Sequence, residues 1–175
     1  MSLEGILLVD GYNVINSWPE LTGLKEEDLG HARDRLIAIL SEFQALCGLR
    51  IILVFDAHQV KGMTGHQEEC EGISVVYTKE GETADEWIER YVVQHQRKGE
   101  VIPLFVTTSD WLEQRIVAAH GAYRVTPREL YQEYRRLKKE SEACLRGKEP
   151  NFTPLDSHLP EKIREILEKW RRQKF

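Results

Sequence analysis

A chain of 175 residues with 41% apolar content can bury one sizeable core, and its apolar residues are too dispersed for a membrane protein. No apolar run approaches the roughly 20 residues of a spanning helix, and no basic stretch leads into a signal-peptide core, so a cytoplasmic protein is expected. The formal charge of −5 gives no general attraction to nucleic acid, and the odd, scattered Cys47, Cys70 and Cys144 make neither a disulfide frame nor a zinc knuckle.

The run Ile6-Leu7-Leu8-Val9 ends abruptly in Asp10, Gly11, Tyr12 and Asn13. This is the pattern of a strand buried on both faces whose last residue emerges at the carboxyl edge of a sheet. Ser17-Trp18-Pro19 and Thr22-Gly23 predict a loop. From about Glu26 to Cys47, Leu29, Ala32, Leu36, Leu40, Phe43 and Leu46 recur every three or four positions, an amphipathic helix closed by Gly48. Arg50 to Asp56 is a second buried strand that again terminates in an acid. Ala57 to Cys70, with two glycines and no periodicity, predicts a mobile loop.

The β-branched stretch Gly72 to Thr78 predicts a third strand. Thr83 and Glu86 then form a capping box, opening a helix with Trp87, Ile88, Tyr91 and Val92 on its buried stripe. Val101 to Thr107 is a fourth strand, Ser109-Asp110 opens a helix to about His120, and Ala122 to Val125 is a short fifth strand. A second box, Thr126 and Glu129 with Pro127 at the first helical position, starts a charged helix through Lys139. Lys148 to Leu159 reads as a linker. Pro160 onward reads as a final helix with Ile163, Ile166, Leu167 and Trp170 on one face. Strands alternate with helices, so the expected fold is α/β, with a mainly parallel sheet and helices on both faces. One domain over residues 1–147 is followed by a linker and C-terminal helical extension over residues 148–175.

Asp10 and Asp56 end buried strands, and Asp85 and Asp110 lie in the first turns of helices that follow strands. In a parallel sheet all four fall at one edge, where open α/β folds place their ligands. Acids gathered without cations repel one another and raise some of their pKa values. A divalent cation reverses that cost, and hard oxygen ligands suit magnesium or manganese. Such an ion orients water and stabilises charge developing on a phosphodiester, so no side-chain nucleophile is required. Three of the four also have a structural reading, and Asp10, followed by Gly11 and joined to a core strand, is the stronger functional candidate. Asp85 complements the helix dipole, Asp56 caps a turn, and Asp110 is an N-cap paired with Glu113. The coincidence of four acids at one edge favours function.

Val9-Asp10-Gly11-Tyr12-Asn13, Val54-Phe55-Asp56-Ala57-His58, Glu82-Thr83-Ala84-Asp85-Glu86 and Thr107-Thr108-Ser109-Asp110 occur in this order at suitable separations. Together they resemble the YacP-like branch of the NYN domains, relatives of the PIN nucleases. The resemblance covers about Leu3 to Leu130, and the ending Lys169-Trp170-Arg171-Arg172 is also similar to that branch. It implies a PIN-like sheet, a divalent metal held by Asp10, Asp85 and Asp110 with Asp56 nearby, and endoribonuclease activity. It further implies cleavage of messenger RNA in association with the ribosome.

Around these acids, Asn13 is expected to orient water or a phosphate oxygen, and Ser109 to bond a phosphate at a helix start. Helix capping is the structural alternative for both. Trp18, expected in a loop, is the better candidate for stacking on single-stranded RNA, whereas Trp87 and Trp111 are expected in the core. Lys61 in the flap, and Arg171 and Arg172 at the C-terminus, are expected to meet RNA phosphates or a ribosomal surface. His58, His66 and Cys70 are too scattered to make a zinc site. Two other functions compete with an RNA-cutting enzyme. A phosphoryl-transfer domain also uses strand-end aspartates, but the residue two after Asp10 is Tyr12, not a second acid. A catalytically silent adaptor binding RNA or the ribosome has no need of the acids.

Overall fold

The computed structural model describes residues 5–60, 62–147, 165–166, 168–170 and 172. Strands Ile6–Asp10 (β1), Arg50–Phe55 (β2), Gln67–Cys70 (β3), Ile73–Tyr77 (β4), Leu104–Thr107 (β5) and Tyr123–Val125 (β6) form one sheet in the order β3-β4-β2-β1-β5-β6. Neighbours are parallel except for β3, which runs antiparallel to β4 at one edge. The unbroken apolar run of β1 follows from its central place, since it pairs with β2 on one side and β5 on the other.

Three helices, Gly11–Ser17 (α1), Pro19–Glu27 (α2) and Leu29–Cys47 (α3), lead from β1 to β2. Ala84–Arg97 (α4) joins β4 to β5, Trp111–Ala119 (α5) joins β5 to β6, and Pro127–Leu145 (α6) follows β6. Side chains alternate across β1. Leu7 and Val9 enter a core shared with α1, α2, α3 and α6, while Ile6 and Leu8 enter a second core shared with α4 and α5. Helices therefore cover both faces, as the strand–helix alternation predicts. Both expected capping boxes form, at Thr83 with Glu86 and at Thr126 with Glu129.

Three local expectations are corrected. The stretch read as a loop around Ser17 to Gly23 is helical, because Pro19 fits the first turn of α2, where its missing N–H is not needed. The long amphipathic pattern is interrupted at Asp28, whose carboxylate caps α3 by accepting from the Gly30 and His31 amides at 2.6 and 3.3 Å. Within Ala57 to Cys70 a 3-10 turn, Ala57–Gln59, precedes strand β3. That strand was hidden because its Gln-Glu-Glu-Cys sequence carries no apolar alternation, and charge on an edge strand discourages further pairing.

At the C-terminus Ile166 and Trp170 are buried in the first core, with Trp170 edge-on to Phe105 at a centroid distance of 5.4 Å. The predicted linker, Lys61 and Arg171 lie outside the described residues. Among the described residues no helix is long and apolar enough to cross a membrane.

Candidate active site

Asp10 ends β1 and caps α1. Its backbone is extended, and its carboxylate accepts from the Asn13 amide at 3.3 Å and from Asn13 Nδ2 at 2.7 Å. The residue that follows must be small, since a Cβ on Gly11 would stand 2.3 Å from the Phe55 ring. Asp85, partly buried, sits in the first turn of α4 behind the Thr83–Glu86 box. From α5 comes a third acid, Glu113, only 5% exposed. One carboxylate oxygen from each of Asp10, Asp85 and Glu113 lies within 4.8 Å of the other two.

The inward aim of Glu113 has a local cause. Asp110 caps α5 by accepting from the Glu113 amide at 3.1 Å, which is one half of a capping box. The other half would bring the Glu113 carboxylate back to the Asp110 amide. That amide instead donates to Thr108 Oγ1 at 3.1 Å. Both Glu113 carboxylate oxygens are buried without a well-formed hydrogen bond. The turn carrying Thr108 is itself held from behind, where Gln114 Nε2 donates to the Thr108 carbonyl at 2.7 Å and Arg124 donates to Gln114 Oε1 at 3.1 Å.

Burial pushes the Asp10 carboxyl up from 3.8 to about 7; hydrogen bonds from Asn13 oppose the shift and the neighbouring Asp85 adds to it. Burial also lifts Glu113 from 4.5 to about 9, with the Thr108 hydroxyl easing the shift and the charges of Asp85 and Asp10 increasing it. Orphaned buried oxygens and mutual repulsion are what a divalent cation relieves. The donor set consists of hard carboxylate oxygens, which fits magnesium or manganese.

Of the four acids singled out from sequence, the structure brings together Asp10 and Asp85. Asp56 stands two residues beyond Val54, the register partner of Asp10, and its carboxylate caps the following turn through the His58 amide at 3.0 Å. Asp110 is exposed at the start of α5 and serves as its cap. Asn13 is bound to Asp10, accepts from the exposed Ser109 hydroxyl, and reaches Thr108 Oγ1 at 3.5 Å. Arg172, on a side chain 82% exposed, pairs with Glu168 at 3.4 Å.

Trp18 is a correction. It is 1% exposed, its indole N–H donates to the Pro127 carbonyl at 2.8 Å, and it packs on Tyr131 and Tyr134, so it meets no base. Trp111, expected in the core, is 60% exposed. Glu113 was missed as a member of the cluster. Its signal in the sequence was the Asp110-to-Glu113 spacing, which reads first as a capping box.

A mostly parallel sheet flanked by helices, with carboxylates converging at its carboxyl edge, fits the PIN-like nuclease fold implied by the resemblance. The chain belongs to the YacP-like NYN domain family, whose profile matches residues 7–172. It is 40% identical to a Bacillus subtilis (strain 168) protein called uncharacterized protein YacP, over 167 residues that make up 95% of this chain and 96% of that protein. The crystal structure of Rae1 (YacP) from Bacillus subtilis is similar at a TM-score of 0.68 and 40% identity, covering 96% of this chain and 95% of that one. A crystal structure of a tryptophan-to-leucine mutant of Rae1 gives a TM-score of 0.68 at 36% identity over 95% of each chain.

Proposed function

We propose that this protein is a metal-dependent endoribonuclease that hydrolyses phosphodiester bonds in single-stranded RNA. One observation carries the reading. Three carboxylates converge at the ligand edge of a nuclease fold, and one of them, Glu113, is buried with both oxygens unsatisfied. Asp10, Asp85 and Glu113 would hold magnesium or manganese. When bound, such an ion supplies Lewis-acid stabilisation of charge on the phosphodiester and lowers the pKa of water.

The chain's own residues prepare that site. Asn13 fixes the orientation of the Asp10 carboxylate and is itself fixed by Ser109. Asp110 acts as a positioning residue, because its cap sets the first turn of α5 from which Glu113 projects. Asp56, two residues beyond the register partner of Asp10, would serve at most as an outer acid at the same sheet edge. Attack by water on phosphorus breaks the bond to the 3′ oxygen, leaving a 3′-hydroxyl and a 5′-phosphate. The family resemblance extends the proposal to messenger RNA cut in the cytoplasm in association with the ribosome, with Arg172 on the docking surface.

The test is cleavage of end-labelled messenger RNA with magnesium or manganese, then with chelator, in the presence and absence of translating ribosomes. Metal-dependent cutting by the wild type that is lost in Asp10→Asn and Asp85→Asn supports the reading. No cutting under any condition, together with no heat of metal binding in calorimetry, overturns it in favour of a silent adaptor.

A further inference from the structure

We propose that Trp111 is a stacking platform for an unpaired nucleobase of the strand engaged at the acid cluster, an inference that rests on the RNA-cutting reading above. Trp18 and Trp170 are each 1% exposed and Trp87 is partly buried against the second core, whereas Trp111 presents 60% of its surface to solvent. It is the first residue of α5, between the cap Asp110 and the cluster acid Glu113.

Helical geometry places the ring at the rim. Two residues advance about 3 Å along a helix and turn about 200° around it, so Trp111 and Glu113 leave α5 on opposite sides. Side chains on a helix lean toward its N-terminus, which for α5 is the carboxyl edge of the sheet. Glu113 enters the cluster while Trp111 leaves the other side of the same first turn, about a helix width away at the same sheet edge, a separation suited to a base a nucleotide or two from the scissile phosphate.

Charge and patch size select the partner. A chain of net charge −5 offers a phosphate backbone little general attraction beyond a bound cation and local basic side chains, so a contact that does not depend on charge adds affinity where it is scarce. Stacking on an aromatic ring is such a contact, and it accepts any base. A protein partner would call for a contiguous apolar surface. Among the described residues the other large exposed apolar side chains lie elsewhere: Val101 and Ile102 precede β5 at the opposite edge of the sheet, and Leu145 ends α6.

The experiment uses the full-length chain carrying Asp85→Asn, so that nothing is cut, and follows the fluorescence anisotropy of a short, unstructured, fluorescein-labelled RNA. Adding Trp111→Ala is expected to weaken binding about tenfold, while Trp111→Phe retains most of it. An oligonucleotide with the same backbone but no bases should bind both proteins equally weakly. Unchanged affinity in a Trp111→Ala protein of unaltered melting temperature overturns the stacking role alone. Failure of both the parent and the metal-free wild type to bind RNA overturns the RNA-cutting reading and the stacking role together. Equal loss with the base-free oligonucleotide also overturns stacking, since the defect would then lie in backbone binding.

Discussion

Glu113 on α5 and Glu133 on α6 are both buried glutamates, 5% and 2% exposed, in opposite surroundings. Glu133 meets two cations. Arg136 donates to its Oε2 at 3.1 and 3.0 Å from Nε and Nη2, and Lys169 from the C-terminal segment pairs with its Oε1. Glu113 meets two other acids and has no well-formed hydrogen bond. A buried carboxylate with its own cations fastens elements together, here α6 to the chain's end. One left among acids destabilises the fold that holds it, and its place is explained by a ligand that arrives from outside.

The largest effects should separate the two glutamates by activity. Asp85→Asn and Glu113→Gln should each lower metal-dependent RNA cleavage on the order of a hundredfold or more, a loss typical of removing electrostatic stabilisation from a reacting centre. Without metal, both variants should melt at a higher temperature than the wild type at neutral pH, because Asp85→Asn removes a charge beside Asp10 and Glu113→Gln removes a carboxyl that burial keeps from ionising as it does in the unfolded chain. Glu133→Gln should do the reverse. It should leave cleavage per folded molecule unchanged and destabilise the protein by about 1–2 kcal/mol, the partner cations being partly exposed. Melting curves and initial rates on the same preparations check both halves. Loss of cleavage in Glu133→Gln at full stability would break the contrast.

A smaller effect follows from protonation. Asp10 rises from 3.8 to about 7 and Glu113 from 4.5 to about 9, so between those limits the folded chain holds more protons than the unfolded one. The stability contributed by these groups is full below roughly pH 4 and is lost as pH climbs through 7 and then 9. The decline in melting temperature from pH 5 to pH 9 without metal should therefore be shallower in Glu113→Gln. Added magnesium or manganese should offset the decline in the wild type and release protons on binding. Calorimetry in buffers of different ionisation heat reads that release. Identical apparent heats in all buffers would mean that these carboxyls are already ionised.

Strands β1, β2, β4 and β5 and the central place of Asp10 were legible because a strand buried on both faces leaves an unbroken apolar run. The capping boxes were legible because their spacing is local. Other features depended on tertiary partners. Trp18 looked like a loop residue beside Pro19, and only the Pro127 carbonyl across the core explains its burial. Asp56 looked equivalent to Asp10, and the register of β1 on β2 is what sets it two residues too far along. Among the described residues three helices open on a capping side chain followed three residues later by Glu, at Thr83, Asp110 and Thr126. Two of these boxes close and the third is half made, a difference that rests on the Thr108 hydroxyl.

That hydroxyl provides the finest test of the contrast. Thr108→Val keeps the shape of the side chain but frees the Asp110 amide, which Thr108 Oγ1 otherwise occupies at 3.1 Å. The nearest replacement acceptor is the carboxylate of Glu113, three residues on, as in the boxes that open α4 and α6. Glu113 should then turn back to close its box and leave Asp10 and Asp85 as the only two inward acids of the group. Losing an oriented ligand in this way should weaken metal binding about tenfold, while the completed cap holds the melting temperature within a few degrees of wild type. Thr108→Ser retains an oxygen at the same place and should bind metal like the parent. If Thr108→Val binds metal as tightly as Thr108→Ser, the aim of Glu113 is set by the packing of α5 and not by competition for one amide.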